Sequence, residues 1–139
     1  MGASGVGIFE DDSCLDWIEE DYATGGVEAV RSALSDAADA SAGDYIEVNQ
    51  GGAARAAAEV VATSFDAGPE LDEDDLDRLR EHAEDVEQDR DLIPLALKAA
   101  RRISAENSEI AELWAENPDF GGLWSAEMDG LETRLRGLL

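Results

Sequence analysis

A chain of 139 residues suits one domain, because a domain of this size buries roughly two-thirds of the surface that its unfolded chain exposes. The chain carries 34 Asp and Glu against 10 Lys and Arg, a formal net charge of −24 at pH 7. This balance argues against nucleic-acid binding, which needs clustered Lys and Arg to neutralise phosphate, and no apolar run in the sequence is long enough to cross a membrane.

The acidic residues are spread evenly along the chain. Residues 1–70 carry 15 acids and 2 bases, residues 71–139 carry 19 acids and 8 bases, and Lys98 is the only lysine. Molar salt screens the self-repulsion of such a surface, and high net charge keeps a protein dispersed there. We therefore expect a cytoplasmic protein of a salt-loving prokaryote. The alternative is functional acidity, such as mimicry of nucleic acid or capture of a basic partner.

The first predicted element is an irregular, glycine-rich lead-in. Gly2, Gly5 and Gly7 superficially resemble a phosphate-binding loop, but three acids at positions 10–12 follow them where a P-loop has Lys and Ser or Thr. Acid beside the loop repels phosphate. We predict instead that the glycines let Ile8 and Phe9 enter the core.

Four carboxylates at the start of the first predicted helix are the best candidate for a metal site. Glu10, Asp11, Asp12 and Asp16 lie close enough in sequence to bind calcium or magnesium through oxygen. The regular calcium-loop spacing is absent. The alternative for these residues is capping of the helix N-terminus together with general surface charge.

Apolar periodicity and capping residues predict an all-α fold, a compact single-domain bundle of six or seven short helices over residues 1–139. The expected helices lie at about 12–23, 27–42, 49–65, 70–86, 91–104, 108–117 and 122–138. Residues 45–48 are the only stretch with β character. Since they are too few for a sheet, we expect an extended link that fixes Tyr45 or Ile46 in the core.

The residues that most often carry catalysis are isolated in this sequence. Cys14 is the only cysteine and lies in a helical apolar pattern, which predicts a small core residue. His82 is the only histidine; it is flanked by Glu81 and Glu84, which predicts a solvated side chain. Without a histidine partner, a reactive cysteine or a phosphate loop, we expect no enzymatic activity and no cofactor.

Three segments in fixed order carry a resemblance to a known family. They are the opening MGASGVGIFEDDSCLDW, the middle segment YIEVNQGGAARAAAEVVA and the later SEIAELW. Together they resemble the bacterial and archaeal family called domain of unknown function 4259, whose members open Met-Gly-x-Trp-Gly-x-Gly, although Ser4 here replaces the tryptophan of many members. The resemblance implies a compact, mainly helical domain and carries over no catalytic residue.

Two functions are compatible with these features. The first is a small non-catalytic interaction or regulatory module, including an inhibitory or immunity-like one, which presents an acidic face to a basic protein surface. The second is a metal-dependent enzyme or sensor that uses Glu10, Asp11, Asp12 and Asp16. The oligomeric state stays open.

Overall fold

The computed structural model describes residues 6–139, so the predictions for Gly2, Ser4 and Gly5 lie outside the described residues. Within this range the chain is all-α and has no strand, which confirms the predicted fold class. A 3₁₀ turn, Ile8–Glu10, precedes the helices, and a π-helical segment, Trp17–Tyr22, joins the first two. The helices are α1 (Asp12–Asp16), α2 (Ala23–Gly25), α3 (Val27–Ala38), α4 (Val48–Ser64), α5 (Glu73–Leu79), α6 (Ala83–Val86), α7 (Leu92–Ser104), α8 (Glu109–Ala115) and α9 (Gly121–Arg136).

Helix α4 lies at the centre of the molecule, where α1, α3, α7 and α9 pack against it. Every residue from 51 to 64 except Ala53 is buried, so the burial of this helix extends around it and is not confined to one apolar stripe. The small residues of α4 allow this close surrounding. At Gly52, a Cβ atom would lie 2.1 Å from Ser13 Oγ, so only glycine lets α1 approach α4 this closely.

The helical stretch that starts at Asp12 contains an unusual π-helical segment. The Ala23 N–H donates to the Ile18 carbonyl, five residues back, as π geometry requires. In this wider turn Trp17 and Tyr22 stack, with ring centroids 5.5 Å apart, and both side chains are buried. The stretch ends at Gly26, whose φ of 58° favours glycine.

The fourth predicted helix is two helices in the structure, which corrects the sequence-based prediction. Between α5 and α6, the Tyr22 hydroxyl donates to the Leu79 carbonyl at 2.7 Å and accepts from the His82 N–H at 3.0 Å. These contacts satisfy two backbone groups that a continuous helix would have paired internally. If α1, the π-helical segment and α2 are counted as one continuous helix, the described chain has eight helices.

The extended link before α4 is confirmed in part. Ile46 is 1% exposed and forms a parallel bridge with Ser108, in which its N–H donates to the Asn107 carbonyl and its carbonyl accepts from the Glu109 N–H, both at 2.9 Å. Tyr45 is half-exposed instead. The link thus fixes the start of α4 against the start of α8.

Candidate interaction surfaces

The four predicted metal ligands differ in their contacts and in their exposure in the structure. Glu10 is exposed, and its Oε1 accepts from the Gly7 N–H at 3.2 Å. Asp11 is buried and caps α1: its Oδ1 accepts from the Ser13 N–H at 3.0 Å and from the Ser13 hydroxyl at 2.7 Å. Asp12 and Asp16 are exposed.

These contacts match helix capping rather than coordination of an ion. A side-chain cap of this kind stabilises a helix by about 1 kcal/mol. Among residues 6–139 no three Asp, Glu, His or Cys side chains are arranged to hold a metal ion. The metal site therefore stays a prediction, with no geometric support in the described part of the chain.

A buried ion pair joins the two longest helices. Glu59 of α4 is 2% exposed and accepts from both terminal nitrogens of Arg134 of α9, at 2.9 and 3.3 Å. Arg134 also donates to the Ala67 carbonyl at 2.9 Å. The pair thus holds the C-terminal half of α9 against α4 and the loop that follows it. Bidentate geometry of this kind gives the strongest charge-assisted hydrogen bonds.

One turn before Glu59, Arg55 is also buried in α4. It is 1% exposed and donates to the Val6 carbonyl, so it binds the N-terminal segment to the central helix. The spacing of Arg55 and Glu59 suggests a pair within one helix, whereas the structure gives each of them a partner from another segment of the chain. Both charges of α4 therefore serve tertiary contacts.

Neither Cys14 nor His82 is placed for catalysis. Burial raises the pKa of the Cys14 thiol to about 12, so the thiol stays protonated at neutral pH and is a poor nucleophile. The His82 ring is not simply solvated: it packs edge-on against Tyr22 at 5.1 Å, and its Nε2 lies 3.3 Å from the Ala23 carbonyl and 3.1 Å from Glu81 Oε2. These contacts tie the histidine to the helix break that Tyr22 bridges.

A concavity, the α9 groove, lies between α9, the N-terminal segment and the loop before α5. Its volume is about 500 Å³. Glu59 and Arg134, the buried pair, are among the residues that line it. The rest of the lining combines apolar side chains with three further carboxylates: Val6, Ile8, Glu10, Pro69, Glu70, Leu71, Leu123, Ala126, Glu127 and Gly130.

A second concavity, the acidic groove, follows the π-helical segment, α2 and α3. Two adjoining cavities of about 620 and 230 Å³ form it and share Trp17, Glu20, Asp21 and Ala53. Five carboxylates line it, and none of them pairs with a Lys, Arg or His side chain among residues 6–139; they are Asp16, Glu20, Asp21, Glu28 and Asp36. Trp17, Ala29, Ala33 and Ala53 provide its apolar lining.

The arginines contact other groups of the same chain. Eight of the nine donate to a carboxylate, a backbone carbonyl or a hydroxyl of the same chain, and Arg80 lies 3.6 Å from the carboxylates of Glu73 and Asp77. Arg78 and Arg90 also lie over the rings of Phe9 and Phe65. Since these cations are engaged in internal contacts, most exposed carboxylates, including those of the acidic groove, are left without a basic partner.

Comparison with known proteins agrees with the order of segments in the sequence. Residues 2–127 match the family model described as Domain of unknown function (DUF4259). The chain belongs to this family. No curated protein and no solved structure matches it. The matched range contains every helix before α9 and the first part of α9, so both grooves lie largely within the part that this DUF4259 member shares with its family.

Sequence reasoning missed both grooves. The buried stripe of α9 consists of Trp124, Met128, Leu131 and Leu135. Leu123 lies outside this stripe, and its position could have indicated a second apolar face on the helix. The acidic groove had no comparable signal, because its carboxylates come from three helical segments and resemble the rest of the acidic sequence. In the part of the chain that the structure describes, no helix is long and apolar enough to cross a membrane.

Proposed function

We propose that this DUF4259 member is a non-catalytic interaction or regulatory module, adapted to high salt and acting in the cytoplasm, that presents an acidic face to a basic protein partner. The observation that carries the proposal is the division of charge. All nine arginines contact groups of the same chain, whereas the five carboxylates of the acidic groove have no basic partner among residues 6–139.

The acidic groove has the composition expected of a surface that receives Lys or Arg side chains. Charge complementarity of this kind steers a basic partner to the right face and disfavours wrong partners. The apolar lining, which includes Trp17 and Ala53, gives the aliphatic stems of Lys and Arg a surface to cover. An inhibitory or immunity-like role is one form that such a module takes.

The non-catalytic part of the proposal stays a prediction, and the shifted pKa values of the described residues have causes within the fold. Four groups have shifted pKa values, and each shift has a structural cause. Burial raises the pKa values of Cys14 and Tyr22, a hydrogen bond to Glu112 raises that of Tyr45, and a hydrogen bond from Arg31 lowers that of Asp89. These groups do not form a nucleophile and base pair with one another in the contacts of residues 6–139.

Affinity capture of the tagged protein from a lysate of its own host, in molar potassium chloride, tests the proposal. High salt is required because at low salt a protein of charge −24 collects basic proteins indiscriminately. We expect one stoichiometric partner that carries more Lys and Arg than Asp and Glu. Recovery of the tagged protein alone contradicts the proposal.

The alternative, a metal-dependent enzyme or sensor, has no observation in its favour among the described residues. Calorimetry with calcium and magnesium in high salt tests it directly. A saturable heat that disappears when Asp11, Asp12 and Asp16 are replaced by Asn would establish the alternative and displace the interaction module.

A further inference from the structure

One side of α9 is not buried in the core formed by residues 6–139, although Arg134 on this side pairs with Glu59. Leu123, Ala126, Glu127, Gly130 and Arg134 are three or four residues apart in sequence and therefore share one side of the helix. This side forms a wall of the α9 groove rather than part of the core. Leu123 is 54% exposed there. A large apolar side chain exposed inside a concavity marks a surface that can bury further area.

The opposite wall of the α9 groove is also apolar. Val6 and Ile8 come from the N-terminal segment, and Pro69 and Leu71 come from the loop before α5. Ala126 and Gly130 are small and lie one turn apart, so a second helix can approach α9 closely along this line. From Leu123 to Arg134 the groove wall is about 16 Å long, or about three turns of helix.

The charges around the α9 groove favour a positively charged binding partner. Glu10, Glu70 and Glu127 line it together with the pair of Glu59 and Arg134. Because Glu59 engages both terminal nitrogens of Arg134, the other three lining carboxylates have no basic partner among residues 6–139. A groove lined by apolar side chains and by carboxylates is complementary to a helix that has one apolar face and cationic flanks.

We propose that the α9 groove is the docking site for a cationic amphipathic helix of a protein partner. Apolar side chains of that helix contact Leu123, Ala126 and Leu71, and its Lys and Arg side chains reach Glu10 and Glu127. The inference rests on the proposed function, since it gives the basic partner a second contact in addition to the acidic groove. A second copy of the chain fits less well, because it brings a further −24 charge to an acidic edge.

Binding of a labelled model peptide tests the docking site. The peptide has about 14 residues, or about four turns, with Leu on one helical face and Lys on the other, and a scrambled peptide of the same composition is its control. Fluorescence anisotropy is measured in about 1 M KCl, where non-specific attraction is screened. We expect saturable binding of the patterned peptide and binding of the scrambled peptide that is weaker by about tenfold.

Matched variants locate the contact. Leu123→Asp is expected to weaken peptide binding about tenfold, because it removes the exposed apolar anchor. Leu139→Asp is the control, since Leu139 is 70% exposed and does not line the groove. At about 0.1 M KCl, where ion pairs are less screened, Glu127→Gln is expected to weaken binding about threefold and Asp129→Asn, on the same helix outside the groove, by less.

Three outcomes overturn the docking site. They are no saturable binding of the patterned peptide, equal losses in the groove variants and their controls, and a dimer in light scattering that Leu123→Asp disrupts, which places a second copy in the groove. Failure of the docking site is distinguishable from failure of the proposed function. If a basic partner captured from the lysate is retained fully by Leu123→Asp, the groove inference is wrong and the interaction module stands.

Discussion

The buried pair of Glu59 and Arg134 makes the sharpest prediction about stability. Replacing Arg134 by Met keeps an unbranched apolar stem and removes the guanidinium group with its charge, which leaves the Glu59 carboxylate buried without the cation of Arg134. The Glu59 side chain is 3% exposed and that of Arg134 is 24% exposed. Breaking a buried pair in this way costs about 3 to 5 kcal/mol, and the partial exposure of Arg134 favours the lower end, about 3 kcal/mol.

Urea unfolding followed by tryptophan fluorescence measures this cost in about 2 M KCl, which screens surface charge. With a slope of about 2 kcal/mol per molar urea, Arg134→Met lowers the unfolding midpoint by about 1.5 M. Arg101→Met is the matched control, because Arg101 pairs with Glu132 at 3.3 Å and is 53% exposed. An exposed pair contributes about 0 to 1 kcal/mol.

A double variant separates the ion pair from the other contacts of Arg134. Glu59→Gln combined with Arg134→Met removes the unpaired carboxylate that Arg134→Met leaves behind, so the double variant should be more stable than Arg134→Met alone, with a coupling of about 1 to 3 kcal/mol. The reasoning is refuted if Arg134→Met costs no more than Arg101→Met, or if the double variant is less stable than either single variant.

Three further predictions concern the N-terminal half, α9 and the surface. Tyr22→Phe removes the hydroxyl between α5 and α6 and should cost about 1 to 3 kcal/mol, with faster hydrogen exchange in both helices. Because burial raises the pKa of Tyr22 from 10.0 to about 12, the wild type should lose more stability than the variant between about pH 10 and 12. Gly52→Ala places a Cβ against Ser13 and should lower the free energy of unfolding by about 1 to 3 kcal/mol. At Gly130 in α9 a Cβ meets open space, so Gly130→Ala should raise the free energy of unfolding by about 0.5 to 1 kcal/mol. Urea unfolding measures both changes. The thermal midpoint should rise with added potassium chloride, and an unchanged midpoint in a scan from dilute buffer to molar salt contradicts adaptation to high salt.

Local patterns were sufficient to predict most of the fold. The three- and four-residue spacing of apolar residues predicted α7 and the buried stripe of α9, because this signal acts within a few residues. The start of the first helix was predicted at about residue 12, whereas its capping residue in the structure is Asp11. The break between α5 and α6 could not be predicted in this way. Its cause is the hydroxyl of Tyr22, which is 57 residues away from Leu79 in the sequence.

The candidate surfaces were less accessible to sequence reasoning than the fold. The α9 groove needs walls from the N-terminal segment, the loop before α5 and α9, and no local pattern reports how such distant segments meet. The sequence shows Glu59 as a charged residue in a helix of small residues. Its partner in the buried pair, Arg134, lies 75 residues later in the sequence, so no local pattern indicates the pair. Asp and Glu are so frequent throughout this chain that the sequence segments of the acidic groove are no more acidic than the segments around them.

The central claim is that a basic partner binds the acidic face, and the affinity of the captured partner for two triple variants tests it most directly. Glu20→Gln, Asp21→Asn and Glu28→Gln neutralise the acidic groove. The control, Glu84→Gln, Asp85→Asn and Glu87→Gln, removes the same charge from exposed residues outside both grooves. We predict that the groove triple weakens binding about tenfold or more and the control less than about threefold. Equal effects of the two triples would contradict the account.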